Sequence, residues 1–110
     1  MTIYYISNKL KKSLSTPMEI MKNYGVRAKK VNQRMKELKA SANLQVMSSI
    51  PAAGCHPLKG DMFGEYAVSI SGNWRIIFTL DHDPKPVKED GSIDLEKVTN
   101  IIITSVDDYH

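Results

Sequence analysis

The feature that most constrains the fold is a stretch of alternating side chains with a single turn signal in its middle. Apolar residues alternate with small or polar ones over residues 66–71 and again over residues 74–80, and Gly72 and Asn73 lie between them. Alternation with a period of two puts apolar side chains on one face of a strand, and a Gly-Asn link favours a tight turn. The pattern predicts a β-hairpin whose apolar face must be covered by another layer.

Two helices predicted earlier in the chain can supply that layer. Thr16 is suited to cap a helix that begins at Pro17, with Glu19 in the position of a capping box, and Gly25 is suited to end it. Apolar side chains then recur at helical spacing over residues 27–42. Two helices joined at a glycine form a helical hairpin.

The remaining segments complete an α+β fold. Residues 3–6 are rich in strand formers, and residues 98–106 contain an apolar run that suits a central strand. Residues 7–15 are ambiguous, residues 43–57 are expected to be a loop, and residues 81–97 a second loop with a helical turn near its end. The predicted order is β-α-α-β-β-β, with an N-terminal strand and a helical hairpin packed on an antiparallel sheet.

Length and composition limit the other possibilities. A chain of 110 residues has the usual size of one domain, so residues 1–110 are expected to form a single domain. The single cysteine, Cys55, excludes an internal disulfide and a zinc site built from cysteines. The chain has no apolar run near the ~20 residues of a membrane span and no signal-peptide pattern, so a cytoplasmic protein without a membrane is expected.

The charge is divided between the two halves of the chain. Residues 1–60 carry eleven lysines and arginines against two acidic residues, a balance of +9, whereas residues 61–110 carry a balance of −6. Such a division favours a polyanion such as nucleic acid, or an acidic partner, on one side of the molecule. The second predicted helix supplies Lys29, Lys30, Arg34 and Lys36 as candidate phosphate contacts.

Candidate chemistry is concentrated in residues 56–61, at Arg75 and in residues 108–110. If hairpin and last strand share a sheet, their cationic and titratable groups converge on one face. These groups are His56, Lys59, Arg75, Tyr109 and His110. They are the groups that metal-free RNA cleavage needs: a base for the ribose 2′-hydroxyl, an acid for the leaving 5′-oxygen, and cations for the phosphorane.

Other catalytic and metal sites find little support. His56, His82 and His110 do not have the paired spacing of metal ligands, and no metal site is expected. Cys55 precedes His56 directly, but adjacent residues of an extended chain point to opposite faces and cannot easily share a proton.

The three candidate places also carry a family likeness. HPLKGD at residues 56–61, SGNWRIIF at residues 71–78 and the terminal DYH at residues 108–110 occur in an order and spacing that resemble the HigB-type toxins of the RelE/ParE superfamily. The segment from Lys88 to Val98 is similar to a longer branch of that group, described as plasmid-maintenance killer proteins. The likeness spans nearly the whole chain.

The resemblance implies a toxin of a type II toxin–antitoxin system that cuts mRNA in the ribosomal A site and inhibits translation. It implies a 2′,3′-cyclic phosphate product, no metal and no cofactor. It further implies two kinds of partner, which are a HigA-like helix-turn-helix antitoxin and the ribosome with its mRNA.

The resemblance also matches functional positions of the family to His56, Asp108, Tyr109 and His110, without settling which is the base and which the acid. From the chemistry of these side chains, we expect His56 or His110 to be the general base, Asp108 to orient a neighbour, and Tyr109 to stack on a base or join a proton relay. Lys59 and Arg75 would bind the scissile phosphate. The lysine-rich and arginine-rich second helix would contact ribosomal RNA phosphates.

Two alternatives belong to other functional classes. A ParE-like toxin would inhibit gyrase without cutting RNA, but such a protein would not need Asp108, Tyr109 and His110 together. A non-catalytic module would only bind an antitoxin or a nucleic acid, and alanine at these three positions would then leave toxicity intact.

Overall fold

Five strands and four helices make up the part of the chain that the structure, a computed structural model, describes, namely residues 1–58 and 64–108. In chain order they are β1 (Thr2–Tyr5), α1 (Asn8–Ser13), α2 (Pro17–Tyr24), α3 (Ala28–Ala40), α4 (Leu44–Ser48), β2 (His56–Pro57), β3 (Glu65–Ser71), β4 (Trp74–Leu80) and β5 (Asn100–Asp108). The α+β class, with a helical hairpin on a five-stranded sheet, is confirmed.

The helical hairpin begins and ends where the sequence signals place it. The Thr16 hydroxyl accepts a hydrogen bond from the Glu19 backbone N–H at 3.1 Å, and Pro17 is the first helical residue of α2. Gly25 follows α2 with a φ of 53°, a left-handed value that glycine adopts without strain. A short 3-10 turn then leads directly into α3, which ends at Ala40, two residues before the predicted end.

The sheet has the order β1-β5-β4-β3-β2. The predicted hairpin of β3 and β4 is present, and β5 lies between β4 and β1. One pair differs from the expected antiparallel arrangement, because β1 runs parallel to β5 with Ile3 opposite Ile101. Parallel pairing is possible here because a long connection, not a tight turn, joins the two strands.

The core lies between the helical hairpin and one face of the sheet. Val31, Met35 and Leu38 of α3 are fully buried there against Ile76 and Phe78 of β4. The side chains of Val68, Ile70, Ile101 and Ile103 complete the strand side of this cluster. We call this the inner face of the sheet and the opposite one the outer face.

Three segments differ from or add to the sequence predictions. The ambiguous residues 7–15 contain α1, whose N-cap Ser7 accepts a hydrogen bond from the Leu10 backbone N–H at 3.1 Å. The expected loop of residues 43–57 is wrong in part, because it contains α4 and the edge strand β2. The Asn43 side chain caps α4, a local interaction that short apolar patterns do not reveal.

Candidate functional site

Strand register brings two of the predicted site residues to the outer face of the sheet. His56 opposes Ala67 of β3, and Arg75 opposes Ser69 of β3 and Asp107 of β5. Directly opposed residues share a face, and so do residues two apart in one strand. His56, Arg75 and Asp107 therefore share the outer face, with the Cα atoms of His56 and Arg75 about 12 Å apart by strand spacing and rise.

The His56 ring is held by the backbone just before it. Its Nδ1 lies 2.8 Å from the carbonyl oxygen of Gly54. Because a carbonyl oxygen can only accept, Nδ1 carries the hydrogen and Nε2 is the nitrogen that can gain or lose a proton. Gly54 has a φ of 54°, so the turn that presents its carbonyl to the ring favours glycine. An exposed imidazole with this tautomer can act as a general base.

Arg75 is oriented by the hairpin turn. Its Nη1 donates to the carbonyl oxygens of Gly72 at 2.6 Å and Trp74 at 3.0 Å. The guanidinium thus folds back onto the turn, and the structure does not bring it into contact with His56. Its position near the start of β4, paired with Asp107 of β5, still makes it a cation on the outer face.

The two aspartates at the end of β5 lie on opposite faces. Asp108, a predicted site residue, opposes Trp74 on the inner face, whereas Asp107 opposes Arg75 on the outer face. The register therefore does not place Asp108 on the face that His56 and Arg75 share. The Asp107 carboxylate accepts a hydrogen bond from the Asp108 backbone N–H at 2.8 Å. Asp107 was not among the predicted site residues, although the alternation of β5 could have placed it beside Arg75.

Three predicted site residues lie outside the described residues. Lys59 is in the segment 59–63, and Tyr109 and His110 follow β5. Their predicted roles in phosphate binding and proton transfer stay predictions.

The predicted phosphate contacts of α3 divide into two groups. Lys29, Lys30 and Lys36 are exposed along the helix. Arg34 is buried with 3% of its surface exposed, so its expected contact with RNA phosphates is wrong. It occupies a position in the apolar stripe between Val31 and Leu38, and this helical spacing was the signal for burial.

Arg34 instead joins three elements. Its Nε donates to the Ser69 carbonyl oxygen at 2.7 Å, its Nη2 to the Ala52 carbonyl oxygen at 2.7 Å, and its Nη1 to the Glu37 carboxylate at 3.1 Å. Ala52 precedes the turn that holds His56, and Ser69 opposes Arg75. The buried guanidinium therefore connects α3 to the backbone near both outer-face candidates.

Cys55 is not an activated nucleophile. Burial raises the pKa of its thiol from the usual 9.0 to about 11, and a hydrogen bond with Ser48 offsets only part of this effect. A thiol with so high a pKa is almost entirely protonated at neutral pH. This agrees with the interpretation that Cys55 and His56 do not form a catalytic pair.

The described residues offer no further site for a metal and no membrane-spanning helix, but they enclose a cavity. Within residues 1–58 and 64–108, no group of three or more histidine, cysteine, aspartate or glutamate side chains could hold a metal ion. No helix in these ranges is long and apolar enough to span a bilayer. A cavity of about 380 Å³ lies between α1, α2 and β5, away from His56 and Arg75.

Comparison with known proteins identifies a fold. Neither a protein-family model nor a curated protein sequence gives a significant match to this chain. Among solved structures, a YoeB/ParE toxin from Agrobacterium tumefaciens is similar over 100% of both chains, with a TM-score of 0.54 and 15% sequence identity. The helical hairpin, the mixed five-stranded sheet and the end-to-end match together show that this chain has the fold of that YoeB/ParE toxin.

Proposed function

We propose that this chain is the toxin of a type II toxin–antitoxin system and cuts mRNA in the A site of the ribosome. The full-length likeness to a YoeB/ParE toxin supports a toxin, and the three motifs that resemble HigB-type toxins support the nuclease. A HigA-like helix-turn-helix antitoxin is the proposed inhibitor, and the cytoplasm, where ribosomes translate, is the proposed location.

The observation that carries the proposal is the shared outer face of His56 and Arg75. A base and a cation on one side of a sheet can approach a phosphodiester together. The contact between Nδ1 of His56 and the Gly54 carbonyl leaves Nε2 as the basic nitrogen. Arg75 can contribute a positive charge and several N–H donors to the phosphate.

The proposed reaction removes a proton from the ribose 2′-hydroxyl and delivers a proton to the leaving 5′-oxygen. Nε2 of His56 takes the proton of the ribose 2′-hydroxyl, and the 2′-oxygen forms a bond to phosphorus. The bond between phosphorus and the 5′-oxygen breaks, and an acid protonates that oxygen. The products are a 2′,3′-cyclic phosphate and a free 5′-hydroxyl. The proposed source of the acid is Tyr109 or His110, with Asp108 as the orienting group.

Cations complete the proposed site. Arg75 and Lys59 stabilise the additional negative charge that develops on the phosphorane, and an arginine does so with a planar pair of donors. The exposed Lys29, Lys30 and Lys36 would contact ribosomal RNA phosphates without reading sequence.

Cleavage of mRNA on programmed ribosomes tests the proposal. His56→Ala, Arg75→Ala and His110→Ala should each slow cleavage about 100-fold or more, the usual contribution of a general acid, a general base or a charge stabiliser. Lys88→Ala, an exposed lysine of the loop after β4, serves as the control and should cleave at the wild-type rate. A message with a 2′-deoxyribose at the cleavage position should remain intact.

Wild-type rates in all three variants would contradict the site.

Mapping of mRNA 5′ ends after brief induction separates the functional classes. Rapid appearance of new ends supports the nuclease, whereas DNA-damage signalling without new ends supports a ParE-like gyrase inhibitor. Toxicity that survives alanine at residues 108–110 would indicate a non-catalytic binding module.

A further inference from the structure

Arg27 and Trp74 form a cation–π pair at one end of the sheet. The guanidinium carbon of Arg27 lies 4.3 Å from the centroid of the Trp74 ring, well inside the range of a cation–π contact. Arg27 ends the 3-10 turn between α2 and α3, and Trp74 is the first residue of β4. Both side chains are partly exposed, so the pair reaches the surface.

One polar atom of the Arg27 guanidinium is buried without a partner. This atom is Nε, which makes no hydrogen bond. Among the described residues, no carboxylate lies within ion-pair distance of it, since the ion pairs there involve Arg34 and Lys97. A buried donor without a partner has a free-energy cost, which makes this arrangement unusual for a purely structural contact.

The pair is close to the proposed cleavage site. Trp74 precedes Arg75 directly in β4 and pairs with Asp108 of β5 on the inner face, so it lies at the same end of the sheet as Arg75 but on the opposite face. The exposed Lys29 and Lys30 follow Arg27 at the start of α3. An RNA strand bound at Arg75 would therefore reach the Arg27 guanidinium by passing around this end of the sheet.

We propose that Arg27, supported by Trp74, is a stacking platform for a nucleobase of the single-stranded RNA where that RNA passes around the end of the sheet from Arg75. Nucleobases stack on arginine planes and aromatic rings in single-stranded RNA recognition, with little dependence on sequence. The inference rests on the proposed RNA-directed function and adds a base-binding position to it.

The geometry favours a base over a phosphate as the ligand. Arginine binds phosphate best with two N–H donors at once. One such pair consists of Nε and the neighbouring Nη, and it requires that Nε be accessible. In Arg27 that atom is buried, so the side chain cannot offer this pair. For a phosphate only the pair of Nη1 and Nη2 is left, whereas a base can bind the planar face.

Binding of an uncleavable RNA tests the platform separately from catalysis. The probe is a labelled octa-adenylate with 2′-O-methyl riboses, and affinity is measured by fluorescence anisotropy. Arg27→Ala and Arg27→Lys should each bind about tenfold more weakly, because lysine keeps the charge but has no plane. Trp74→Phe, which keeps a ring under the guanidinium, should bind close to wild type, and Trp74→Ala should bind about as weakly as Arg27→Ala.

Two controls distinguish a base from a charge. Lys88→Ala removes a cation elsewhere and should bind like wild type. An abasic oligonucleotide of the same length presents only phosphates, and the Arg27 variants should bind it like wild type. Trp74 is the only tryptophan in the chain, so its emission should change on addition of the adenylate and not of the abasic strand.

The possible outcomes test the base platform and the nuclease separately. Full affinity in Arg27→Lys, or equal losses for adenylate and abasic strands, would overturn the base platform while leaving the nuclease untouched. Thermal unfolding of every variant checks that it is folded, and the conservative Arg27→Lys and Trp74→Phe variants provide the decisive comparison if an alanine variant unfolds. Platform binding without cleavage on ribosomes would overturn the nuclease alone.

Discussion

His56 and His82 differ in which ring nitrogen meets the backbone. Nδ1 of His56 donates to the Gly54 carbonyl, which leaves Nε2 for proton exchange. Nε2 of His82 accepts from the backbone N–H groups of Thr99 and Asn100 at 3.1 and 3.2 Å, so that nitrogen is occupied by the start of β5. The same residue type therefore has a candidate catalytic role in one place and a structural role in the other.

Cys55 makes stability depend on pH in the alkaline range. The thiol of the unfolded chain loses its proton near pH 9.0, whereas the buried thiol keeps it until about pH 11. The unfolded state therefore binds fewer protons between these values, and the free energy of unfolding should fall by about 2 to 3 kcal/mol as the pH rises through them. Urea unfolding at a series of pH values measures this fall.

The Cys55→Ala variant isolates the thiol contribution. Burial also raises the pKa values of Tyr5 and Tyr66, so some alkaline loss of stability should remain in the variant. The slope between the two pH limits should nevertheless be smaller than in wild type. An identical slope in both proteins would show that the thiol does not titrate as its burial requires.

At the scale of elements, Arg34 connects α3 with β3 and with the turn before β2. Arg34→Met should lower the free energy of unfolding by roughly 3 kcal/mol, since it removes the donor to two carbonyl oxygens and leaves the Glu37 carboxylate with only its hydrogen bond from Gln33. Lys36→Met, at an exposed position of the same helix, should change it by no more than about 0.5 kcal/mol. Urea unfolding compares the two, and equal effects would mean that the three hydrogen bonds contribute nothing measurable.

Elements with a local signal could be predicted from the sequence. The cap at Thr16, the glycine after α2 and the Gly72-Asn73 turn act within a few residues, and the structure has helix and hairpin boundaries near them. The parallel pairing of β1 with β5 depends on contacts between distant segments, which local patterns do not encode. The shared face of His56 and Arg75 could be predicted only in part. Strand β2 has two residues, which are too few to show the alternation that assigns side chains to faces.

At the scale of the whole molecule, the basic half of the chain lies mostly in the helices. The double variant Lys29→Glu/Lys30→Glu should bind ribosomes more weakly, and the dependence of log affinity on log salt should become shallower by about 1 to 2 units. Affinity measured over a salt series provides both values. Cleavage of RNA already bound at saturating protein should be retained, because neither lysine belongs to the proposed catalytic group.

A charge-matched variant on the other half gives the control. Lys88→Glu/Lys97→Glu makes the same change in net charge at exposed positions of the loop that precedes β5. It should leave ribosome affinity and its salt dependence close to wild type. Equal losses in the two double variants would show that net charge alone, without a localised surface, governs binding.

The parallel pair of β1 and β5 has a consequence for synthesis of the protein. Residues 2–5 are synthesised long before their strand partner, residues 100–103. Loop closure over so many residues is slow, and β1 has no neighbouring strand until that partner has emerged. The same late strand carries Asp107, so the outer face with His56 and Arg75 is complete only after β5 has been synthesised.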